Sequence, residues 1–483
     1  MASDSIASVT HQLVSSGVPF KCPSDADWVT YSSSYNIRLP FTPAVVVLPR
    51  AVWQVTNALA FARKHGLKVQ ARSGGHSYAS HSIGGMDGAM VVDMRSFQFT
   101  HYIGDPILVE TGVRLGNLAK AIYSELGQNR ALPHGTCAGV GLGGHLTHGG
   151  FGLFSRAWGL AMDHIVGMTV ITADGNCIFA DQDQNGDLFY AMRGAGDSFG
   201  IVKSFYLDTV PAPESVIHWE VNISGVTHNV RSATDAFKQI QRFTRNEFVV
   251  DRQLGLQISL GWNHFNVQGT YLGPRKTLEN TIIPAMLSQI SERGTINIDE
   301  HDWPSSLKSF NQGREIETDP SKVYQERANF FAKSVVVPEP GFTVKAINAF
   351  FTYLLNEGSH APVGYFILID LYGGADSQIK AKDIDFSAFA HRDALWVIQI
   401  NGFVGNEEVF PPAGIDFING LANSFTMHLK KYGAYSNYTD PTLTREQAHK
   451  MYYGDQLSKI LWKLKKKWDP NNLFDNPQSI FAD

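Results

Sequence analysis

The 483-residue sequence has few cysteines, a low share of charge and no long apolar segment. Three cysteines, Cys22, Cys137 and Cys177, do not make a disulfide framework, and their odd number suggests a special role for one. Charged residues make up 18% of the chain and the net charge is −5, so we expect no general attraction to nucleic acid or to an anionic membrane. Because no apolar run reaches about 18 residues, we expect no transmembrane helix.

The first residues, Met1 to Ile6, lack the basic residue and the apolar stretch of a secretory leader. This leaves open an intracellular protein and a secreted protein whose leader has been removed. The apolar share of 43% is typical of a soluble globular enzyme. The length exceeds that of one ordinary core, so we expect two or three domains.

Two different patterns follow one another along the chain. Up to about residue 205, short strands alternate with helices, for example the apolar run Val45–Pro49, the helical stripe of Ala51–His65 and the strand-like run Leu67–Ala71. From about 215 to 430, strand-like alternation separated by helices indicates an α+β domain with an antiparallel sheet. A helix is predicted from Thr444 to Trp468, with the lysines at 463 and 465–467 on its solvated face.

Two glycine-rich loops, Arg72–Tyr78 and His134–Gly152, carry the strongest chemical signal. Each offers a nucleophile, His76 or Cys137, in backbone that can approach a ligand closely because glycine has no Cβ. Successive backbone N–H groups in such a turn form an anion-binding concavity suited to a pyrophosphate. Ser73 and Ser77 add hydroxyl donors. The pair of loops predicts a site for one large, flat, anionic cofactor that is held covalently.

The second loop also allows two other interpretations. Gly139–Gly144 matches G-x-G-x-x-G, but no β run precedes it, which disfavours a dinucleotide fingerprint. His134, His145 and His148 could bind a metal. No carboxylate or second cysteine accompanies them with ligand spacing, so loop histidines bonded to backbone are the favoured interpretation and no metal is predicted.

At these residues the chain resembles the berberine-bridge-enzyme-like branch of the vanillyl-alcohol-oxidase superfamily, and within it the fungal oligosaccharide oxidases. Matching motifs follow in order over nearly the whole chain: the two loops, Asp187–Phe189, Arg193–Gly196, Phe199–Val202 and Trp468–Phe474. The resemblance implies an α+β, two-domain flavoprotein fold with a PCMH-type FAD-binding domain. It also implies domain boundaries of 1–208 (FAD-binding), 209–430 (substrate-binding) and 431–483 (returning to the FAD-binding domain).

The resemblance implies FAD attached twice, through His76 at the 8α-methyl and through Cys137 at C6 of the ring. Val140 stands where this branch tends to have valine in oxygen-reactive members, which favours an oxidase over a dehydrogenase. The implied cofactor-binding set, besides the two attachment residues, is Arg72, Ser73, Gly74, Gly75, Ser77, Val140, Gly141, Gly143, Gly144, Ile201, Asn476 and Gln478.

By the same resemblance, Tyr438 is the general base and Asp370 is the carboxylate that orients its phenol and receives its proton. A free tyrosine has a pKa near ~10 and needs such help. The implied substrate contacts are Tyr78, Gln257, Phe366, Leu368 and Gln399. Two of these depart from the family pattern: Phe366 replaces a common tryptophan and Leu368 a common glutamine.

The predicted function is oxidation of the anomeric C1 hydroxyl of reducing mono- or oligosaccharides to lactones, with O2 reduced to H2O2. The alternative, favoured by Phe366 and Leu368, is an oxidase of the same branch that acts on an aromatic or alkaloid-like alcohol or amine. The family resemblance suggests a secreted monomer that binds neither nucleic acid nor membrane.

Overall fold

The computed structural model describes residues 13–102, 104, 106–127, 129–292, 294–320 and 326–482. Met1 to Ile6 therefore lie outside the described residues. The chain forms helices and mostly antiparallel sheets, and the predicted α+β class is confirmed. The helices of the described residues fall short of the length and apolar character that a bilayer crossing requires.

The strands are, in chain order, β1 Phe20–Lys21, β2 Val45–Val47, β3 Val69–Arg72, β4 Met90–Asp93, β5 Thr100–Tyr102, β6 Ile107–Glu110, β7 Arg130–Ala131, β8 Ile165–Ile171, β9 Cys177–Ala180, β10 Ile201–Leu207, β11 Val210–Pro211, β12 Val216–Asn222, β13 Gln257–Gly261, β14 His264–Tyr271, β15 Thr295–His301, β16 Asn329–Pro338, β17 Gly364–Leu371 and β18 Ala394–Val404.

The α-helices are α1 Trp28–Ser32, α2 Val52–His65, α3 Leu115–Lys120, α4 Leu142–Thr147, α5 Ser155–Trp158, α6 Gly186–Ala195, α7 Val230–Phe243, α8 Arg275–Thr277, α9 Ile283–Leu287, α10 Trp303–Phe310, α11 Val344–Glu357, α12 Pro412–Thr426, α13 Arg445–Tyr452 and α14 Gly454–Trp468.

The strands of the N-terminal half form two main sheets. One has the order β1-β2-β4-β3, and the other has the order β5-β6-β10-β8-β9. The C-terminal end of the chain returns to the first sheet, where a bridge joins Val69 to Phe474. Both glycine-rich loops leave this region, because the first follows β3 and the second opens into α4.

A seven-stranded antiparallel sheet, ordered β15-β12-β14-β13-β17-β18-β16, fills the middle of the chain. Successive side chains of a strand point to opposite faces. On β17, Ile367, Ile369 and Leu371 pack into the apolar core beneath helices α7, α11 and α12. Phe366, Leu368 and Asp370 therefore face the other way, and the sheet presents its polar face to the site.

The predicted C-terminal helix was wrong in two respects. Gly454 has a φ of +69°, a left-handed conformation that favours glycine, and it divides the segment into α13 and α14. Lys465 was predicted to be solvated but is fully buried. Its Nζ donates to Asp469 Oδ2 at 2.8 Å and to the Phe474 carbonyl at 2.8 Å. Strands β14, β15 and β16 were not predicted from the sequence.

Candidate active site

A cavity of about 650 Å³ lies between the two glycine-rich loops and the polar face of the seven-stranded sheet. Its wall is drawn from the whole chain, from Tyr35 near the start to Gln478 near the end. The volume falls within the range of ~300–1,000 Å³ typical of cofactor and ligand sites.

The two loops meet through backbone that leaves no room for side chains. A Cβ on Gly74 would overlap the Gly141 backbone, so glycine is required where the loops cross. The Ser73 hydroxyl donates to the Thr111 carbonyl at 2.6 Å and accepts from the Gly143 N–H at 3.2 Å. Ser73 therefore fastens the loops together, and its proton is not available to a ligand. Arg114 adds a third link, because its Nη1 donates to the Gly74 carbonyl of the first loop at 3.0 Å and to the Gly139 carbonyl of the second loop at 2.5 Å.

His76 and Cys137 both line this cavity, as the two-loop prediction requires. The His76 ring stacks on Tyr35 with ring centroids 4.6 Å apart. Burial, and to a smaller extent the Arg114 guanidinium, lower the pKa of His76 to about 3. The imidazole is therefore neutral near pH 7 and keeps a lone pair for nucleophilic attack. Desolvation inside the cavity raises the pKa of the Cys137 thiol.

Tyr438 lies on the sheet side of the same cavity. Its ring stacks on Tyr78 with centroids 5.7 Å apart and meets Tyr435 edge-on at 5.1 Å. The Tyr435 hydroxyl accepts from the Gly150 N–H at 2.9 Å and from Asn437 Nδ2 at 2.9 Å. The Asn437-Tyr438 pair is thus fixed to the second glycine-rich loop through Tyr435.

Asp370 is a buried carboxyl close to this phenol. Burial raises the pKa of Asp370 to about 7, while a hydrogen bond from Gln257 acts in the opposite direction. Burial and the charge of Asp370 together raise the pKa of Tyr438 well above its usual value. Two neighbouring groups with strongly displaced pKa values in a cavity wall are a typical arrangement for acid–base catalysis.

Two family models match the chain, a FAD binding domain over residues 43–181 and a berberine and berberine-like domain over residues 434–481. A carbohydrate oxidase from Microdochium nivale is 34% identical over 478 residues, which span 97% of this chain and 94% of that protein. The chain belongs to the berberine-bridge-enzyme-like FAD-linked oxidases. It is therefore an FAD-binding oxidoreductase, and the predicted family and cofactor are confirmed.

Two solved structures of family members resemble this oxidase over nearly its whole length. One is a xylooligosaccharide oxidase from Myceliophthora thermophila C1 in complex with xylobiose (31% identical, TM-score 0.92, 98% of this chain and 99% of that chain). The other is a glucooligosaccharide oxidase from Acremonium strictum, described with a 6-S-cysteinyl, 8α-N1-histidyl FAD (29% identical, TM-score 0.91, 99% of this chain and 100% of that chain).

Most of the predicted cofactor-binding residues of this oxidase line the cavity: Ser73, Gly74, Gly75, His76, Ser77, Cys137, Val140, Gly141, Gly144 and Gln478. Four others lie behind its wall: Arg72, Gly143, Ile201 and Asn476. Arg72 is fully buried and its Nη2 donates to Asp93 Oδ2 at 2.7 Å. Its contribution to the site is support of the strand before the first loop, and direct cofactor contacts by these four residues stay a prediction.

The predicted substrate residues Tyr78, Gln257, Phe366, Leu368 and Gln399 also line the cavity. Two of their amides are already engaged with protein groups. Gln399 Nε2 donates to the Tyr78 hydroxyl at 2.9 Å, and Gln257 Nε2 donates to Asp370 Oδ1 at 2.8 Å. Phe366 lies 6.3 Å from Phe403, centroid to centroid, so this part of the wall is aromatic and apolar.

A further polar group of the site centres on Asp197, which the sequence-based prediction did not include, and it joins His148 to the predicted residue Asn476. His148 Nε2 lies 3.3 Å from Asp197 Oδ1, and Asn476 Nδ2 donates to Asp197 Oδ2 at 2.8 Å. Burial alone would lower the pKa of His148, but Asp197 raises it. Asp197 lies between the two family motifs Arg193–Gly196 and Phe199–Val202. This position in the sequence could have marked Asp197 as a site residue.

The other histidines and cysteines named from the sequence form backbone hydrogen bonds or remain free thiols. His134 Nδ1 bonds the Gly135 carbonyl at 2.8 Å, and His145 Nε2 accepts from the Gly135 N–H at 3.1 Å. Cys22 is buried, Cys177 is exposed, and neither forms a disulfide in the structure.

Proposed function

We propose that this oxidase carries FAD on both His76 and Cys137 and oxidises the anomeric C1 hydroxyl of a reducing sugar to a lactone, with O2 reduced to H2O2. The observation that carries the proposal is one cavity lined by His76, Cys137 and Tyr438, with Asp370 close behind the phenol. Family members that act on carbohydrates support the substrate class.

The residues of this chain fit the cofactor. The crossing of Gly74 and Gly141 leaves no side chain in the way of a flat ring. The neutral imidazole of His76, and Cys137 once its thiol is deprotonated, face the same ligand as nucleophiles. Bound FAD supplies a hydride acceptor and, when reduced, an electron donor for O2. Val140 lies in the cavity wall, where its small side chain leaves space for dioxygen.

The proton chemistry belongs to Tyr438 and Asp370. Tyr438 takes the proton of the substrate hydroxyl as the C1 hydrogen leaves with its electron pair. Because its own pKa is high, the phenol must pass a proton on, and the Asp370 carboxylate accepts it. Tyr78 and Gln399, joined at 2.9 Å, form a polar edge that can orient a sugar hydroxyl.

Anaerobic reduction of the flavin by a panel of reducing mono- and disaccharides, followed by absorbance, tests the proposal. We expect at least one sugar to bleach the flavin and air to restore the colour with formation of peroxide. Absence of bleaching by every sugar would reject the substrate class.

The apolar wall favours a second candidate. Leu368 cannot hydrogen-bond, and together with the Phe366–Phe403 pair it gives the sheet side of the cavity an apolar patch suited to an aromatic alcohol or amine. Bleaching by aromatic alcohols and not by sugars would select this function.

We also propose that the enzyme acts as a secreted monomer. One chain supplies the complete cavity wall, which supports the monomer, and the family resemblance supports secretion. Light scattering of the purified protein, and its location in cultures of the native host, would test the two parts separately.

A further inference from the structure

A second cavity of about 460 Å³ lies on the same face of the seven-stranded sheet, next to the first. Six residues line both cavities and form their common boundary; three of them, Tyr438, Gln257 and Leu368, lie next to Asp370 or belong to the proposed site. Tyr438 therefore borders the substrate cavity, whereas Asp370 borders only the second cavity, which we call the chamber.

The strand register places a row of polar side chains along the floor of this chamber. Direct cross-strand partners follow one another from β17 to the sheet edge: Asp370–Gln257, Gln257–Gln268, Gln268–Glu220 and Glu220–Asn297. Gln268 Nε2 donates to Gln257 Oε1 at 2.9 Å, and Gln257 Nε2 donates to Asp370 Oδ1 at 2.8 Å. The row begins at a buried carboxyl and ends at Asn297, which is exposed on β15.

The chamber has the size and polarity to hold water. Its volume exceeds the ~30 Å³ that one water occupies many times over, and polar side chains line it on several sides. His218, Glu220 and Asp299 offer proton acceptors between Asp370 and the solvent, and Asp299 is itself exposed. Burial lowers the pKa of His218 to about 4, so its ring is neutral near pH 7.

We infer that the chamber is the proton-release route of the active site, with Asp370 at its inner end and Gln257 as a positioning residue. The inference rests on the proposed function. The hydroxyl proton of the substrate passes to Tyr438, the phenol proton passes to Asp370, and the Asp370 carboxyl returns it to chamber water and then to bulk solvent. The two electrons leave separately with the hydride, so Asp370 recovers its starting charge in each turnover.

Gln257 and Gln268 orient the route and do not carry the proton. The Gln257 amide donates to Asp370 Oδ1 and so gives the carboxyl a defined orientation. The same amide accepts from Gln268, which holds its side chain flat against the sheet. Asp370 lines the chamber and not the first cavity, so within the acid–base pair it is the group that chamber water can reach.

Obstruction of the outer end of the chamber tests the route in the flavin-loaded enzyme. Asn297→Phe adds bulk at the mouth, where the strand is exposed, and Ile296→Phe on the same strand but outside the chamber is the matched control. Gln268→Leu is a second variant that interrupts the row without a change of bulk.

Two readouts are followed for each variant. The first is steady-state turnover with a sugar and O2 in H2O and in D2O, because Asp370 must release its proton before the next turnover. The second is the rate at which the Asp370 carboxyl exchanges its proton for deuterium, measured by infrared difference against Asp370→Asn. We expect Asn297→Phe to slow both by about fivefold, to enlarge the solvent isotope effect and to leave KM unchanged, and Gln268→Leu to slow exchange. Ile296→Phe should behave as the wild type.

Unchanged carboxyl exchange and isotope effect in a folded Asn297→Phe enzyme would overturn the route, even with full activity towards sugars. If no sugar reduces the wild-type flavin, the proposed function fails, and the exchange measurement still decides whether the chamber connects Asp370 to solvent.

Discussion

The ring of Tyr78 stacks on the ring of Tyr438 with centroids 5.7 Å apart and planes inclined by 19°. Tyr78 belongs to the loop that carries His76, so this contact joins the attachment loop directly to the proposed base. The Tyr78 hydroxyl also accepts from Gln399 Nε2 at 2.9 Å. One side chain therefore couples the cofactor loop, the base and the sheet that faces the substrate.

Tyr78→Phe keeps the stacked ring and removes the hydroxyl that holds Gln399. Since a hydrogen bond contributes about 1 kcal/mol, we expect kcat/KM to fall about fivefold. Tyr78→Ala also removes the stack, worth a further ~0.5–1.5 kcal/mol, and should lower kcat as well. Steady-state kinetics distinguish the two; equal values for both variants would show that the ring itself contributes nothing.

The colour of the precipitated protein should show that the flavin is held by two covalent links. After acid precipitation we expect the wild type, His76→Ala and Cys137→Ala all to stay yellow, because each single variant keeps one covalent link. The double variant should release free FAD into the supernatant, measured by absorbance. A colourless wild-type precipitate would contradict covalent attachment altogether.

The pKa of Asp370, raised to about 7, predicts the pH profile. Below this value the carboxyl is protonated and cannot accept from Tyr438, so the rate of flavin reduction at saturating substrate should rise with pH through about 7. The titratable neighbours Tyr372, Tyr435 and Tyr438 have raised pKa values and stay neutral across this range. Asp370→Asn should be slow and flat with pH; a wild-type profile without this limb would contradict the assignment.

The raised pKa of Asp370 also affects stability: the rate of flavin reduction should rise with pH, whereas the free energy of unfolding should fall. The folded carboxyl binds its proton more tightly than the unfolded one, so the free energy of unfolding should fall as pH rises from about 4 to 7. Asp370→Asn has no such group and should therefore gain stability relative to wild type above pH 7. Denaturant unfolding at pH 5 and pH 8 measures the difference; a constant difference at the two values would contradict the raised pKa.

Lys465 provides a test of the buried ion pair with Asp469, whose side chains are 0% and 1% exposed. Lys465→Ala leaves the Asp469 carboxylate buried without its cation, so we expect a loss of about 3–5 kcal/mol of unfolding free energy. Lys467→Ala is the matched control, because its pair with Asp187 lies at the surface, and it should cost under about 1 kcal/mol. Urea titration of both variants checks this, and equal losses would contradict it.

Leu368→Gln should restore a polar contact to the sheet side of the cavity. One added hydrogen bond to a sugar hydroxyl should raise kcat/KM for a reducing disaccharide by up to about tenfold. Leu368→Met keeps the volume without polarity and should leave it unchanged. If Leu368→Gln lowers kcat/KM for the disaccharide and Leu368→Met does not raise it, the aromatic substrate class is favoured.

The parts of the site that lie in recognisable local sequence patterns could be predicted from the sequence. The loops around His76 and Cys137 could be found because glycine and a nucleophile recur together, and both residues line one cavity. Elements with a clear apolar pattern were predicted close to their observed bounds, such as the helical stripe of Ala51–His65, which is observed as α2. The antiparallel sheet followed from strands separated by helices.

Features that depend on distant partners could not be read from the sequence. Gln257 was interpreted as a sugar contact, yet its amide is engaged by Asp370 and Gln268 on neighbouring strands, and that depends on register. Lys465 lies in a basic run, and only the fold brings the Ser198 and Phe474 carbonyls to its Nζ. Tyr35 precedes any recognisable motif, so its stacking on His76 had no local signal.

The cavity wall takes residues from Tyr35 to Gln478, almost the entire polypeptide. A nascent chain on the ribosome cannot enclose the cofactor, since Tyr438 and Gln478 are still unmade when both attachment residues have emerged. Covalent capture of the flavin is therefore a late event in the life of the protein, and any C-terminal truncation before Gln478 should yield colourless protein.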